Sequence, residues 1–199
     1  MSNKKEEYRR YLPHIQPDDA IFFITFRLKD TLPKDILFNY LHEKEELIRT
    51  NHTDNIPTLY LEKIDKYLDH AKDYFLKEDK IAKVIQDSIF FYEGKYYEVI
   101  AFCIMPNHIH LLLNTNHFPY IPLYKILGRI KGFSAKNINK IRETKGHLWS
   151  NESYDHLIKT KNELANVIEY IIHNPVKAEL VSNWKKWEHT YVKENYLEE

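Results

Sequence analysis

The chain has 199 residues, enough for one domain with a substantial core. Its 29 basic and 29 acidic residues cancel, so it lacks the net positive charge expected of a protein that coats nucleic acid over its whole surface. The single cysteine excludes a disulfide framework and a cysteine-based zinc finger, and the first residues and every apolar run fall short of a signal peptide or a bilayer span, which implies a soluble, cytoplasmic protein.

In chain order, Ala20 to Leu28 is rich in β-branched and aromatic residues and reads as a buried strand. Pro33 to Arg49 and Leu59 to Leu76 carry apolar residues at helical spacing, with a loop from Asn51 to Pro57 between them. Glu78 to Tyr92 reads as a further helix. Tyr96 to Ile104 and His108 to Asn114 read as antiparallel strands joined by a turn at Pro106-Asn107. Cys103 in the first of these is a small buried hydrophobe. Ile121 to Glu143 is a helix, and Tyr154 to Lys159 a short strand. Thr160-Lys-Asn-Glu163 fits a capping box, with Glu163 reaching back to the N-cap. Leu164, Val167, Ile168, Ile171 and Ile172 then form a helical apolar stripe, and Pro175 ends that helix at Asn174. The sum is an α+β domain over 1–199, an antiparallel sheet packed by helices, with 30–93 as a helical insertion.

Charge is unevenly spread. From Lys125 to Trp149 there are seven Lys or Arg against one acid, whereas acids outnumber bases from Asp30 to Glu98. A local cationic face can bind phosphates on a neutral molecule, although charge runs on helices are also simply solvated faces.

The most informative segment is His108-Ile109-His110. On a strand these imidazoles share one face, with Leu112 in their row, while Ile109, Leu111 and Leu113 face a core. Such a pair is two-thirds of a divalent-metal site, half of a structural zinc site, or two hydrogen-bonded core histidines. Tyr170 and Asn174, four residues apart, lie beside the apolar stripe of the last helix and so at the helix–sheet border. Asn174 offers a carbonyl oxygen to a hard cation, or is a helix C-cap. Tyr170 offers a phenol nucleophile, or is an ordinary boundary tyrosine.

Pro106-Asn-His-Ile-His110, Tyr154-Asp-His-Leu-Ile158 and Tyr170-Ile-Ile-His-Asn-Pro-Val-Lys177 resemble, in order and spacing, the REP-associated tyrosine transposases of the wider HUH single-strand nuclease group. The resemblance runs from about Ile21 to Trp184. It departs at Ser150, where Gln is frequent, at Glu179, where Gly is frequent, and at Lys159, where Arg is common. It implies a ferredoxin-like HUH core, His108, His110 and Asn174 as ligands of Mg²⁺ or Mn²⁺, and Tyr170 as the nucleophile. The implied reaction cuts single-stranded or hairpin DNA through a 5′-phosphotyrosine and rejoins it, by a monomer or homodimer acting at the nucleoid. No membrane or nucleotide cofactor is implied. Arg27, Lys131, Lys136, Trp149, His156 and Lys159 are the DNA-contact candidates. Two other readings stand beside it: a domesticated hairpin-binding protein with weak or lost nicking, and a small-phosphoester hydrolase that uses water.

Overall fold

The computed structural model describes residues 6–9, 13–17, 19–33, 36, 38, 64–69 and 74–197. The expected helix from Pro33 to Arg49, apart from 33, 36 and 38, and the loop from Asn51 to Pro57 lie outside them. Among the described residues, β1 (Glu6–Arg9) and β2 (Pro13–Gln16) form a separate antiparallel pair. A five-stranded sheet has the order β6-β3-β5-β4-β7, with β3 (Ile21–Arg27), β4 (Glu98–Ile104), β5 (His108–Asn114), β6 (Tyr154–Ile158) and β7 (Thr190–Val192). Every pairing in it is antiparallel. The helices are α1 (Asp79–Phe90), α2 (Leu123–Ile141) and α3 (Lys161–Lys177), and residues 64–69 are also helical. The α+β reading therefore holds.

Two cores separate at the sheet. Phe22, Ile24 and Phe26 of β3 and Ile109, Leu111 and Leu113 of β5 pack with Ile81 and Ile85 of α1 and Ile126 and Ile130 of α2. Phe23, Cys103 and Leu112 pack on the opposite face with Ile168 and Ile171 of α3. Alternate residues of a strand point to opposite faces, so both faces of the central strands are covered. A bulge between Val99 and Ala101 breaks this alternation in β4 and sends both Ile100 and Ala101 to the α3 side. Cys103 is buried, and burial pushes its thiol up to about 12, so it packs as a hydrophobe. No helix among the described residues is long and apolar enough to cross a membrane.

Helix α3 meets expectation at its start and departs from it at its end. Thr160 accepts a hydrogen bond from the Glu163 N–H at 3.1 Å, as a cap should. The Glu163 carboxylate in turn reaches back to the Thr160 backbone N–H, as the capping box expects, and it also accepts from the Lys159 N–H at 2.7 Å and lies 2.6 Å from His156 Nε2. At the other end the helix passes through Pro175 to Lys177 instead of stopping at Asn174, so Asn174 is not its C-cap. The proline removes one backbone bond, and burial of Ile171, Asn174 and Pro175 against the sheet offsets that loss. The helix then closes with Glu179 N–H donating to Val176 at 3.0 Å and Leu180 N–H donating to Pro175 at 2.9 Å. This is the paired bonding of a Schellman motif. It puts Glu179 in the left-handed region, at φ 54°, which explains why a glycine suits that position.

Candidate active site

His108 and His110 stand side by side on β5, both buried beneath α3. Their Nε2 atoms are 3.0 Å apart. His108 Nδ1 lies 2.6 Å from Asn107 Oδ1, and Asn107 Nδ2 donates to the Leu68 carbonyl at 2.8 Å. Because the amide nitrogen is committed to a carbonyl, the amide oxygen faces the ring. His108 therefore carries its proton on Nδ1 and turns the Nε2 lone pair to the site. His110 Nδ1 meets its cross-strand neighbour Thr25, 2.9 Å from Oγ1. Burial pushes both imidazoles down, His108 well below its usual value with help from His110, and His110 to about 3 with help from Lys177. Both are neutral at pH 7, the state in which imidazole ligates a metal.

Helix α3 brings Tyr170 over this pair. Its ring centroid is 5.4 Å from that of His110, and 6.0 Å from that of Phe23, which stacks on His110 at 5.8 Å. Lys177 Nζ lies 5.3 Å from the centroid of the Tyr170 ring. One turn beyond Tyr170, Asn174 is 1% exposed. The Tyr170 hydroxyl and Asn174 Oδ1 are both buried and neither makes a hydrogen bond within the chain. Each orphaned polar group costs about 1–3 kcal/mol, so something outside the chain is expected to satisfy them. Two imidazole nitrogens and an amide oxygen suit Mg²⁺ or Mn²⁺.

The site also holds one acid that local sequence pattern does not reveal. Asp65, only 4% exposed, places Oδ2 3.5 Å from His110 Nε2. One ligand atom each from Asp65, His108 and His110 fall within 4.8 Å of one another. With the imidazole neutral, the Asp65–His110 contact is not an ion pair at pH 7. The sequence signal was an acid on the inward stripe of a helix: Asp65 precedes buried Leu68 by three residues, while Lys66 and Tyr67 between them are exposed.

The DNA-contact candidates separate by environment. Trp149 is 5% exposed, donates to Ser134 Oγ at 3.0 Å and packs edge-on against Phe26, so it is core and not a platform for base stacking. Arg27 is buried and donates to the Leu28 carbonyl and to Thr31 Oγ1. Lys131 donates to the Ser150 carbonyl at 2.8 Å and Ser153 Oγ at 2.7 Å, which pins the loop before β6. His156 is held by Glu163. Lys136 and Lys159 are exposed.

Residues 72–174, just over half of the chain, match the family described as IS200-like transposases. The chain belongs to that family. The matched span contains His108, His110, Tyr170 and Asn174 and begins after Asp65. A Haemophilus influenzae protein named as a REP-associated tyrosine transposase is 33% identical over 102 residues, which cover 46% of this chain and 56% of that relative. The match thus spans a little over half the length of the relative. A solved REP-associated tyrosine transposase, bound to a REP hairpin, aligns with a TM-score of 0.54 at 16% identity, over 93% of this chain and 81% of that one. At that identity the likeness shows a shared fold.

Proposed function

We propose that this IS200-like transposase nicks and rejoins single-stranded DNA at short palindromic hairpins, with Tyr170 as the nucleophile and a divalent metal held by His108, His110 and Asn174. The observation that carries the reading is the pair of orphaned buried oxygens on α3, the Tyr170 hydroxyl and Asn174 Oδ1, with the Tyr170 ring against His110. The name of the Haemophilus influenzae relative and the hairpin bound in the solved transposase support the substrate class.

In the first step the Tyr170 oxygen forms a bond to the scissile phosphorus and the bond to the 3′ oxygen breaks. The products are a 5′-phosphotyrosine and a 3′-hydroxyl, and the proton lost by the phenol is balanced by the one the 3′ oxygen gains. Attack by a second 3′-hydroxyl reverses the sequence, so joining needs no ATP. Bound Mg²⁺ or Mn²⁺ would supply charge neutralisation and orientation of the phosphate. Asn107 holds His108 in the ligating tautomer, and Thr25 orients the His110 ring. Lys177 places a positive charge beside the ring that bears the nucleophile. Exposed Lys136 on α2 and Lys159 after β6 are suited to the DNA backbone, which supplies much of the affinity. The whole of 1–199 acts as one unit in this reading, with 30–93 as its helical insertion.

The test is cleavage of a single-stranded hairpin oligonucleotide in Mn²⁺. Tyr170→Phe should lose the covalent adduct and lower cutting at least about a thousandfold, with hairpin binding retained. Unchanged cutting by this variant would remove Tyr170 from the reaction. Hairpin binding by the unaltered protein with no nick in Mn²⁺ would favour the hairpin-binding reading instead.

A further inference from the structure

The geometry points to Asp65 as an additional ligand of the metal centre, and to Asn107 as the residue that clamps the helical segment 64–69 against it. This rests on the metal-dependent reading above and extends it to a part of the chain that the family match, residues 72–174, leaves out.

Three observations converge. Asp65 Oδ2 is 3.5 Å from His110 Nε2, and Asp65, His108 and His110 each bring a ligand atom into a cluster within 4.8 Å. The carboxylate is 4% exposed, so its oxygens lie inside the buried site beside the imidazoles rather than in solvent. Asn174 Oδ1 is a further buried oxygen without a hydrogen bond, on the helix that brings Tyr170 to His110. One carboxylate, one amide oxygen and two imidazoles make a mixed oxygen–nitrogen set for a hard or borderline divalent ion.

The segment is held where it is by the same residue that orients His108. Asn107 gives its amide nitrogen to the Leu68 carbonyl at 2.8 Å and its amide oxygen to His108 Nδ1 at 2.6 Å. Leu68 is buried, and the 3-10 turn Phe75–Lys77 is tied to the same β4–β5 hairpin, where Leu76 N–H donates to the Pro106 carbonyl at 3.0 Å. One side chain thus couples the ligand on the sheet to the segment that carries Asp65. A cation that takes ligands from both stabilises their docking, and docking raises affinity for the cation by the same factor.

The experiment uses the full chain without DNA. Mn²⁺ affinity is measured by calorimetry, and hydrogen exchange is followed in the peptide containing 64–69. The unaltered protein should show slower exchange there when Mn²⁺ is added. Asp65→Asn should weaken Mn²⁺ binding at least about tenfold and abolish that slowing, since loss of a charged ligand lowers affinity. Asp65→Glu, which keeps the charge, should retain more affinity than Asp65→Asn and so separates ligation from misfolding. Asn107→Ala should cost about 10–100-fold in affinity and speed exchange at 64–69 even without metal. If Asp65→Asn binds Mn²⁺ like the unaltered protein while His108→Ala does not, Asp65 is not a ligand and the metal site stands without it. If His108→Ala also binds normally, both the inference and the metal-dependent reading fall.

Discussion

The two faces of β5 use burial for different ends. Ile109, Leu111 and Leu113 enter an apolar core shared with α1 and α2. His108 and His110, one residue out of phase, are buried just as completely beneath α3, where Thr25, Asn107 and Asp65 surround them with polar atoms. The first face gains stability with every methylene removed from water. The second gives up part of that gain to hold neutral imidazoles and orphaned oxygens in place, as expected where a site rather than a core is being built. The difference teaches that burial alone does not mark a structural face. The chemistry of what is buried does.

The contrast can be broken most forcefully on the apolar side. Leu111→Ala should cost about 2–5 kcal/mol in urea denaturation, with Mn²⁺ affinity of the folded protein little changed. A cost below about 1 kcal/mol would mean that this face can collapse around a cavity, and the contrast with the α3 face would weaken.

The polar side should respond to acid. His110 stays neutral in the folded protein down to about 3, whereas an unfolded histidine takes up its proton near ~6.5. Between these values the unfolded state binds more protons, so stability is present above ~6.5 and is lost as pH falls, by up to about 1.4 kcal/mol per pH unit. His108, pushed down in the same way, adds to the slope. Urea midpoints of metal-free protein at pH 6, 5 and 4, compared with those of His110→Phe, isolate the contribution. Equal slopes in the two proteins would show that the imidazole charges in place.

The smallest effect tests whether the α3 face sacrifices stability. Asn174→Leu keeps the side-chain size and removes an unsatisfied buried oxygen. It should raise stability by about 1 kcal/mol while abolishing metal-dependent cutting. A loss of stability in thermal denaturation would show that the amide makes hydrogen bonds the metal-free protein needs.

Much of this was readable from local pattern. The alternation of His108 to Leu113 assigned side chains to faces, and the stripe from Leu164 to Ile172 placed Tyr170 at the helix–sheet border. Local pattern also misled. Pro175 was read as a stop because isolated helices avoid proline, yet burial of its flanks carries α3 through it. Residue type puts Trp149 and Arg27 among the DNA-contact candidates but does not report their burial, Trp149 against Ser134 and Arg27 by the turn after β3. Asp65 escaped notice because acids on helices are usually solvated, and its relation to His110 spans a separation in sequence that no periodicity reports.

The sequence alone was enough to specify the antiparallel α+β sheet, the shared face of His108 and His110, and the i, i+4 pairing of Tyr170 with Asn174, because each follows from the repeat of a strand or a helix. Only the tertiary structure decided which elements meet at that face. The docking of α3 over the histidines, the arrival of Asp65 from 64–69, and the Asn107 bridge that joins them depend on packing between distant segments, where complementarity of surfaces rather than local period sets the outcome.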